Sequence, residues 1–118
     1  MNHSTGTPTK AERVRLETLS VMRCVCCERE GATQLLPTEV HHLVDMGTRK
    51  LSGGHMATIP LCGWHHRGVI PERSELTTGD MLFIYGPSKA LNGRLFRDTY
   101  GTDRELLELV NARMELAA

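Results

Sequence analysis

Four cysteines and five of the six histidines in this 118-residue sequence lie between positions 24 and 66. Cysteine thiolates and imidazole nitrogens are the ligands with which proteins hold zinc. Two pairs of histidines are adjacent in the chain, His41-His42 and His65-His66. Imidazoles left over beside a zinc site are suited to metal-assisted cleavage of phosphodiesters. The chemistry that the sequence indicates is therefore concentrated in one short segment.

The spacing of the cysteines predicts a structural zinc site. The segments Cys24-x-x-Cys27 and Cys62-x-x-His65 each present two ligands from a tight turn. The intervening residues 28–61 are enough for a hairpin that brings the two halves together. Four such ligands complete a tetrahedral Zn²⁺ site. A redox dithiol has the same Cys-x-x-Cys spacing, but it would leave the second segment unexplained.

Two of the zinc ligands have a neighbour that can take their place. Cys26 can replace Cys24, and otherwise it is a small buried thiol, the usual position of a spare cysteine. His66 can likewise replace His65. The spacing alone leaves both alternatives open.

The histidines outside the zinc site predict a catalytic centre. If His65 binds zinc, His66 projects elsewhere from its helix, and the same hairpin brings His41 and His42 opposite to it. Adjacent strand residues point to opposite faces, so both can serve one cleft only at the end of a strand. We interpret His41 and His66 as ligands of a catalytic divalent ion. Neutral His42 is then the base that removes a proton from the attacking water.

Asp45 and His55 are further candidates for this centre. Either side chain can ligate the divalent ion or hold His42 in the correct tautomer. The alternative is that one histidine pair only supplies zinc ligands or packing.

The elements that must position these side chains predict a small α+β fold. An amphipathic helix at the amino end leads into Cys24, and the histidine pairs lie on a hairpin and on the helix that follows it. Thr9 and Asp103 are plausible N-caps for the first and last helices. The predicted elements are a helix at residues 10–22, a loop at 24–37, strands at 38–44 and 57–61, a helix after Cys62 that Gly68 ends, an irregular stretch at 72–92, and helical segments at 94–100 and from 103 onward.

Length and composition limit the organisation of the chain. With 13.2 kDa and only 4% aromatic residues, we expect one domain with a modest core, at residues 10–118, after a disordered leader at residues 1–9. Such a core needs a structural metal.

No segment approaches the roughly 20 apolar residues of a membrane helix, and no signal peptide is visible, so we expect a cytoplasmic protein without a membrane partner. The formal net charge of zero requires a local basic patch for any nucleic-acid partner.

Six segments between Cys24 and Leu107 carry recognisable motifs. They are Cys24-Val-Cys-Cys27, Val40-His-His-Leu43, Gly54-His55, Ile59-Pro-Leu-Cys-Gly-Trp-His-His-Arg-Gly68, Gly86-Pro-Ser88, and Phe96-x-x-x-Tyr100-Gly101 followed by Leu106-Leu107. Together they resemble the HNH, or His-Me finger, nucleases, and the phage Ref-type recombination-enhancement nucleases most closely. Ile-Pro-Leu-Cys-x-x-His-His is the most specific part of this likeness.

The resemblance implies a ββα core stabilised by zinc, with flanking amino- and carboxy-terminal helices. It aligns His42 with the general base, and His41 and His66 with the metal-binding positions. It further implies DNA cleavage with Mg²⁺ or Mn²⁺, directed by a recombinase filament in a bacterial host cell. His55 is the substitute for the usual middle residue of the motif. Cys24, Cys27, Cys62 and His65 align with the structural zinc ligands.

Two other functions remain open from the sequence. Some relatives carry a further histidine before the Phe-x-x-x-Tyr-Gly segment, and this chain has none after His66. A catalytically inactive, zinc-bound adaptor for DNA or a recombinase is therefore the main alternative. A zinc hydrolase acting on another substrate is a more distant one.

Overall fold

A two-stranded antiparallel hairpin followed by a short helix forms the centre of the fold. The computed structural model describes residues 6–117, so part of the predicted leader, residues 1–5, lies outside the described residues. The architecture is α+β, as the sequence predicts. Its elements are α1 (Lys10–Val21), α2 (Val25–Glu30), β1 (Thr38–His42), a 3-10 turn (Gly54–Met56), β2 (Thr58–Cys62), α3 (Gly63–Arg67), α4 (Thr78–Tyr85), α5 (Gly93–Tyr100) and α6 (Asp103–Ala117).

The hairpin and α3 are joined directly at Cys62. In the hairpin, Thr38 pairs with Cys62 and His42 pairs with Thr58. Cys62 ends β2 and also caps α3, because its sulfur accepts a hydrogen bond from the backbone N–H of His65. Gly68 ends α3 in the left-handed region, with φ of 74°. Both histidine pairs therefore lie on the ββα unit that the sequence predicts.

Helix α1 covers one side of the hairpin and is tied to it by a buried arginine. Thr9 and Glu12 form a reciprocal capping box at the start of α1, which confirms the predicted cap. Arg15 reaches the beginning of β2, where its guanidinium donates to Thr58 Oγ1 at 2.9 Å and to the Thr58 carbonyl at 2.7 Å. This clamp fixes the residue that directly opposes His42.

The structure corrects three of the predicted elements. Residues 72–92 are not irregular throughout, since they contain α4, which begins with a capping box between Thr77 and Asp80. Helix α2 replaces part of the predicted loop. Asp103 is not the cap of α6, because Thr102 and Glu105 exchange the capping hydrogen bonds. The carboxylate of Asp103 is therefore not used for capping.

Every element except β1 and the 3-10 turn contributes one to three buried apolar side chains to the core. Trp64 of α3 and Phe96 of α5 are the largest of its fully buried members. Leu106, Leu107 and Val110 of α6 are also buried. No helix in residues 6–117 has the length and apolar character needed to cross a membrane.

Gly86 provides a test of this packing. It ends α4 with φ of 86° and ψ of −178°, a conformation in which essentially only glycine is found. A Cβ there would overlap the Tyr100 hydroxyl and lie 2.6 Å from Glu30 Oε1. We expect Gly86→Ala to lower the free energy of unfolding by at least about 1–3 kcal/mol, the range for such backbone strain, in a denaturant titration.

Gly93→Ala is the matched control for that substitution. Gly93 is the first residue of α5, and a Cβ there meets no atom within 4 Å. Because alanine favours helices over glycine, Gly93→Ala should leave the free energy of unfolding unchanged or raise it slightly. Equal effects of the two substitutions would contradict the proposed packing around Gly86.

Candidate active site and metal centre

Three cysteines and one histidine form a buried cluster in the middle of the fold. Cys24 precedes α2 and Cys27 lies within its first turn, while Cys62 ends β2 and His65 lies on α3. Their four ligand atoms all lie within 4.8 Å of one another. All four side chains are at most 3% exposed. The structure therefore brings the four predicted zinc ligands together.

The distances within this cluster fit a tetrahedral zinc ion. Cys27 Sγ and Cys62 Sγ are 3.8 Å apart. His65 Nδ1 lies 3.5 Å from the sulfurs of Cys24 and Cys27 and 3.3 Å from that of Cys62. Zn–S bonds of about 2.3 Å and a Zn–N bond of about 2.0–2.1 Å at tetrahedral angles give separations of about 3.8 Å and 3.6 Å. The Cys3His cluster is thus compatible with zinc.

The contact that His65 makes through its second ring nitrogen, Nε2, fixes the tautomer of the ring. His65 Nε2 lies 2.7 Å from the carbonyl oxygen of Tyr85, which can only accept a hydrogen bond. Nε2 therefore carries the proton, and Nδ1 presents its lone pair to the cluster. Such an outer contact is the usual partner of a zinc-binding histidine.

The two alternative ligands lie outside the cluster. Cys26 is fully buried, and its sulfur does not belong to the group of four ligand atoms. Burial raises the pKa of the Cys26 thiol, which keeps it neutral. His66 turns away from the cluster and contacts His41 instead. Cys26 is therefore a core thiol, as one of the two sequence interpretations holds.

His41 and His66 form a second group of possible metal ligands. His41 Nδ1 and His66 Nε2 are 3.2 Å apart, with the two rings at 62° to each other. Two nitrogens that each bind one metal at about 2.1 Å would enclose an angle of about 100° at this separation. The pair therefore fits two adjacent positions of a single coordination sphere.

Carboxylates hold the far side of both rings. Asp103 Oδ2 lies 3.3 Å from His41 Nε2, and Glu39 Oε1 lies 2.8 Å from His66 Nδ1. A carboxylate accepts hydrogen bonds, so each contact places the proton on the far nitrogen and leaves the lone pairs of His41 Nδ1 and His66 Nε2 facing each other. Two facing lone pairs repel unless a cation lies between them. The histidines and carboxylates thus have the arrangement of a metal site with its outer hydrogen bonds.

Glu39 and Asp103 are site residues that the sequence reasoning did not identify. Glu39 is two residues before His41, on the same face of β1, so the alternation of a strand could have indicated it. Asp103 is 62 residues from His41 in sequence. Only its position after the Gly101 break set it apart, and we interpreted that position as a cap.

The charge on Asp103 is stabilised by its two partners. Burial by itself raises the pKa of Asp103, but hydrogen bonds from His41 and Lys89 lower it to about 2. Lys89 Nζ lies 2.6 Å from Asp103 Oδ1. Glu39 has a comparable environment, since Arg67 and His66 lower the pKa of its carboxyl. Both carboxylates are therefore ionised at neutral pH and act as acceptors.

His42 belongs to a different pair from its neighbour His41. His42 Nε2 lies 3.0 Å from His55 Nδ1, and His55 Nε2 lies 3.0 Å from the carbonyl of Gly6. Because the carbonyl can only accept, neutral His55 carries its proton on Nε2 and accepts from His42 Nε2–H. The basic nitrogen of neutral His42 is then Nδ1.

His42 is held in its neutral form. Burial is the largest cause, and it lowers the pKa of His42 to about 4. Repulsion from Arg49, His55 and His41 adds to this effect. The contribution of His41 shows that the two adjacent imidazoles lie within electrostatic reach, although each faces its own partner.

The predicted three-imidazole cleft is therefore divided into two imidazole pairs. Asp45 joins neither of them in the structure. Both of its carboxylate oxygens are bound by Arg104 of α6, at 2.8 and 3.1 Å. As a ligand of the divalent ion, Asp45 would first have to leave this bidentate ion pair.

The fold and the side-chain clusters define a small α+β protein with paired histidines beside a Cys3His cluster that is compatible with zinc binding. The family model described as "Recombination enhancement, RecA-dependent nuclease" matches residues 8–115. The chain belongs to this family, which agrees with the resemblance seen in the sequence. The family description indicates a nuclease that depends on RecA. No solved structure matches the chain.

Replacement of single cysteines tests the assignment of the zinc ligands. We expect purified protein to contain about one zinc per chain, and Cys24→Ala to lose most of it and to unfold at lower denaturant concentration, because a structural metal contributes directly to folding. Cys26→Ala is the matched control and should keep its zinc. Zinc content can be measured by elemental analysis. Zinc retained by Cys24→Ala but lost by Cys26→Ala would reverse the assignment.

Proposed function

We propose that this chain is a metal-dependent DNA endonuclease of the HNH, or His-Me finger, type, acting with a recombinase filament in phage or prophage recombination. The single observation that carries the proposal is the 3.2 Å separation of His41 Nδ1 and His66 Nε2, with a carboxylate against the far nitrogen of each ring. Membership of the RecA-dependent nuclease family supports the same conclusion.

His41 and His66 would hold a Mg²⁺ or Mn²⁺ ion between them. When bound, the ion supplies Lewis-acid stabilisation of the negative charge on the phosphate and the leaving oxygen. The two histidines occupy only two positions, so the remaining ones are open to oxygen ligands from water and phosphate, which both ions prefer. Glu39 and Asp103 keep the two rings in orientation and keep their inner nitrogens unprotonated.

His42 is the proposed general base. Its Nδ1 accepts the proton of the attacking water, because Nε2–H is committed to His55. His55 fixes this tautomer through its own bond to the Gly6 carbonyl. The low pKa of His42 keeps the free base available at neutral pH, although it also makes the base weaker.

Two arginines beside the site support a role in binding DNA. An open groove of about 400 Å³ is lined in part by Arg97 and by the Lys89–Asp103 ion pair, and so lies next to the His41 contact. Arg49 lies close enough to His42 to lower its pKa. Arg49 and Arg97 would bind phosphates of a DNA strand that reaches the site, whereas Lys89 is engaged by Asp103. Since the formal net charge is zero, stable engagement of DNA would rely on the filament.

A cleavage assay with metal-replete protein tests the proposal. Labelled single- and double-stranded DNA is incubated with and without a RecA filament, in the presence of Mg²⁺ or Mn²⁺. We expect cutting that requires the added ion, and we expect His42→Ala to slow single-turnover cleavage by about 10²–10⁴-fold, the usual contribution of a general base. His66→Ala should raise the ion concentration needed for half-maximal cutting.

Asp98→Asn is the matched control, because Asp98 is exposed on α5, away from the two histidine pairs. It should cut like the wild type. No ion-dependent cutting in any condition, or equal rates for wild type and His42→Ala, would contradict the proposal. Binding to DNA or to the filament without any cutting would instead support the inactive adaptor.

The pH dependence of cleavage follows from the low pKa of His42. A histidine with the ordinary pKa of about 6.5 would be only about one-tenth unprotonated at pH 5.5, and the rate would fall about tenfold from its value at pH 7.5. With a pKa of about 4, His42 remains almost entirely unprotonated at pH 5.5. We therefore expect the single-turnover rate at saturating Mn²⁺ to fall less than about twofold between these pH values. A tenfold loss would show that the base titrates as an ordinary histidine.

A further inference from the structure

We propose that the Lys89–Asp103 ion pair selects the tautomer of His41 and thereby makes His41 Nδ1 a metal ligand. Asp103 and Lys89 are positioning residues in this proposal, since they act through His41. The inference rests on the proposed function, because it concerns the nitrogen that would bind the catalytic ion.

The geometry around Asp103 assigns one task to each carboxylate oxygen. Oδ2 lies 3.3 Å from His41 Nε2, and Oδ1 lies 2.6 Å from Lys89 Nζ. The side chains of Asp103 and His41 are each only 11% exposed, so water competes little for these bonds. An ionised carboxylate has no proton to donate, and His41 must therefore carry its proton on Nε2. Nδ1 is left unprotonated toward His66.

Lys89 fixes the orientation of the carboxylate. Its backbone N–H donates to the His65 carbonyl at 2.8 Å, which ties its position to the Cys3His cluster. Its ammonium group lies 5.7 Å from the centre of the Phe96 ring and binds Oδ1. The charge on Lys89 therefore determines which atom of residue 103 faces away from His41. In the wild type both carboxylate oxygens are acceptors, so Lys89 contributes by holding Oδ2 against His41 Nε2. In an amide the same attraction would also decide which end atom faces His41.

The amide variant Asp103→Asn separates a positioning role from a structural one. Asparagine has nearly the same size and shape as aspartate, but only one of its two end atoms is an acceptor. Lys89 will attract the amide oxygen, and the NH₂ group will then face His41 Nε2. His41 must accept that hydrogen bond, so its proton moves to Nδ1, where it blocks the lone pair that faces His66. A comparable change of tautomer in a serine protease triad reduces the rate about 10⁴-fold.

Removal of the lysine charge should reverse the effect. In the double variant Asp103→Asn with Lys89→Met, nothing attracts the amide oxygen away from His41. The oxygen can turn to accept from His41 Nε2–H, which restores the original tautomer. A purely structural role for the ion pair predicts the opposite, because the second substitution removes a further contact.

Nuclear magnetic resonance tests the tautomer directly and without cleavage. Long-range ¹H–¹⁵N correlation spectra of the full-length, zinc-loaded protein at pH 7.5, without Mg²⁺ or Mn²⁺, report which nitrogen of His41 carries the proton. We expect Nε2–H in the wild type and in Asp98→Asn, Nδ1–H in Asp103→Asn, and a return to Nε2–H in the double variant. An unchanged His41 tautomer in Asp103→Asn would overturn the proposal, as would failure of the double variant to restore it.

Mn²⁺ affinity gives a second readout on the same variants. Loss of an outer hydrogen bond typically weakens metal binding 10–100-fold, so we expect Asp103→Asn to fall in that range and the double variant to recover at least part of the loss. Equal Mn²⁺ affinity in wild type and Asp103→Asn would overturn the inference. If no variant and no wild-type protein cuts DNA while the tautomers change as expected, the nuclease proposal fails and the selection of the tautomer stands.

Discussion

The crowding of four ligand atoms into one buried cluster is the constraint on which the rest of the structure depends. Three sulfurs and one nitrogen within 4.8 Å of one another can remain there as zinc ligands, whereas unpaired thiolates in the core would be very unfavourable. The cluster connects the start of α2, the end of β2 and α3. A chain with 4% aromatic residues has few other means of holding these elements in place. The hairpin is thereby fixed, and the rings on it acquire defined partners.

The two histidine pairs acquire separate tasks through the periodicity of the elements that carry them. On α3, successive residues are about 100° apart, so His65 can enter the cluster while His66 turns toward β1. On β1, successive residues point to opposite faces, so His41 meets His66 while His42 meets His55. One backbone thus delivers a candidate ligand and a candidate base from adjacent positions.

Elements and site residues with a local sequence signal could be predicted from the sequence. Contacts between residues far apart in the chain could not. Cys-x-x-Cys, Cys-x-x-His and the glycine after α3 predict the zinc ligands and the ββα order, because these spacings have a direct geometric meaning. Helix α4 was missed since its apolar residues follow no helical period, although Thr77 and Asp80 form a cap signal. The contact of Asp103 with His41 depends on how α6 packs, and no spacing rule reaches across 62 residues.

The charges around His41 and His66 bear on how a neutral chain would attract a phosphodiester under the proposed function. Imidazoles contribute no charge as ligands, and the carboxylates of Asp103 and Glu39 are each balanced by a cation, Lys89 and Arg67. Without a divalent ion, the charges of these two carboxylates and two cations sum to zero, so the site has little attraction for DNA. On the proposed function, a divalent ion held by His41 and His66 would add two positive charges to this site, because Lys89 and Arg67 already balance the two carboxylates. The attraction of the proposed site for phosphate would therefore rise when the ion binds.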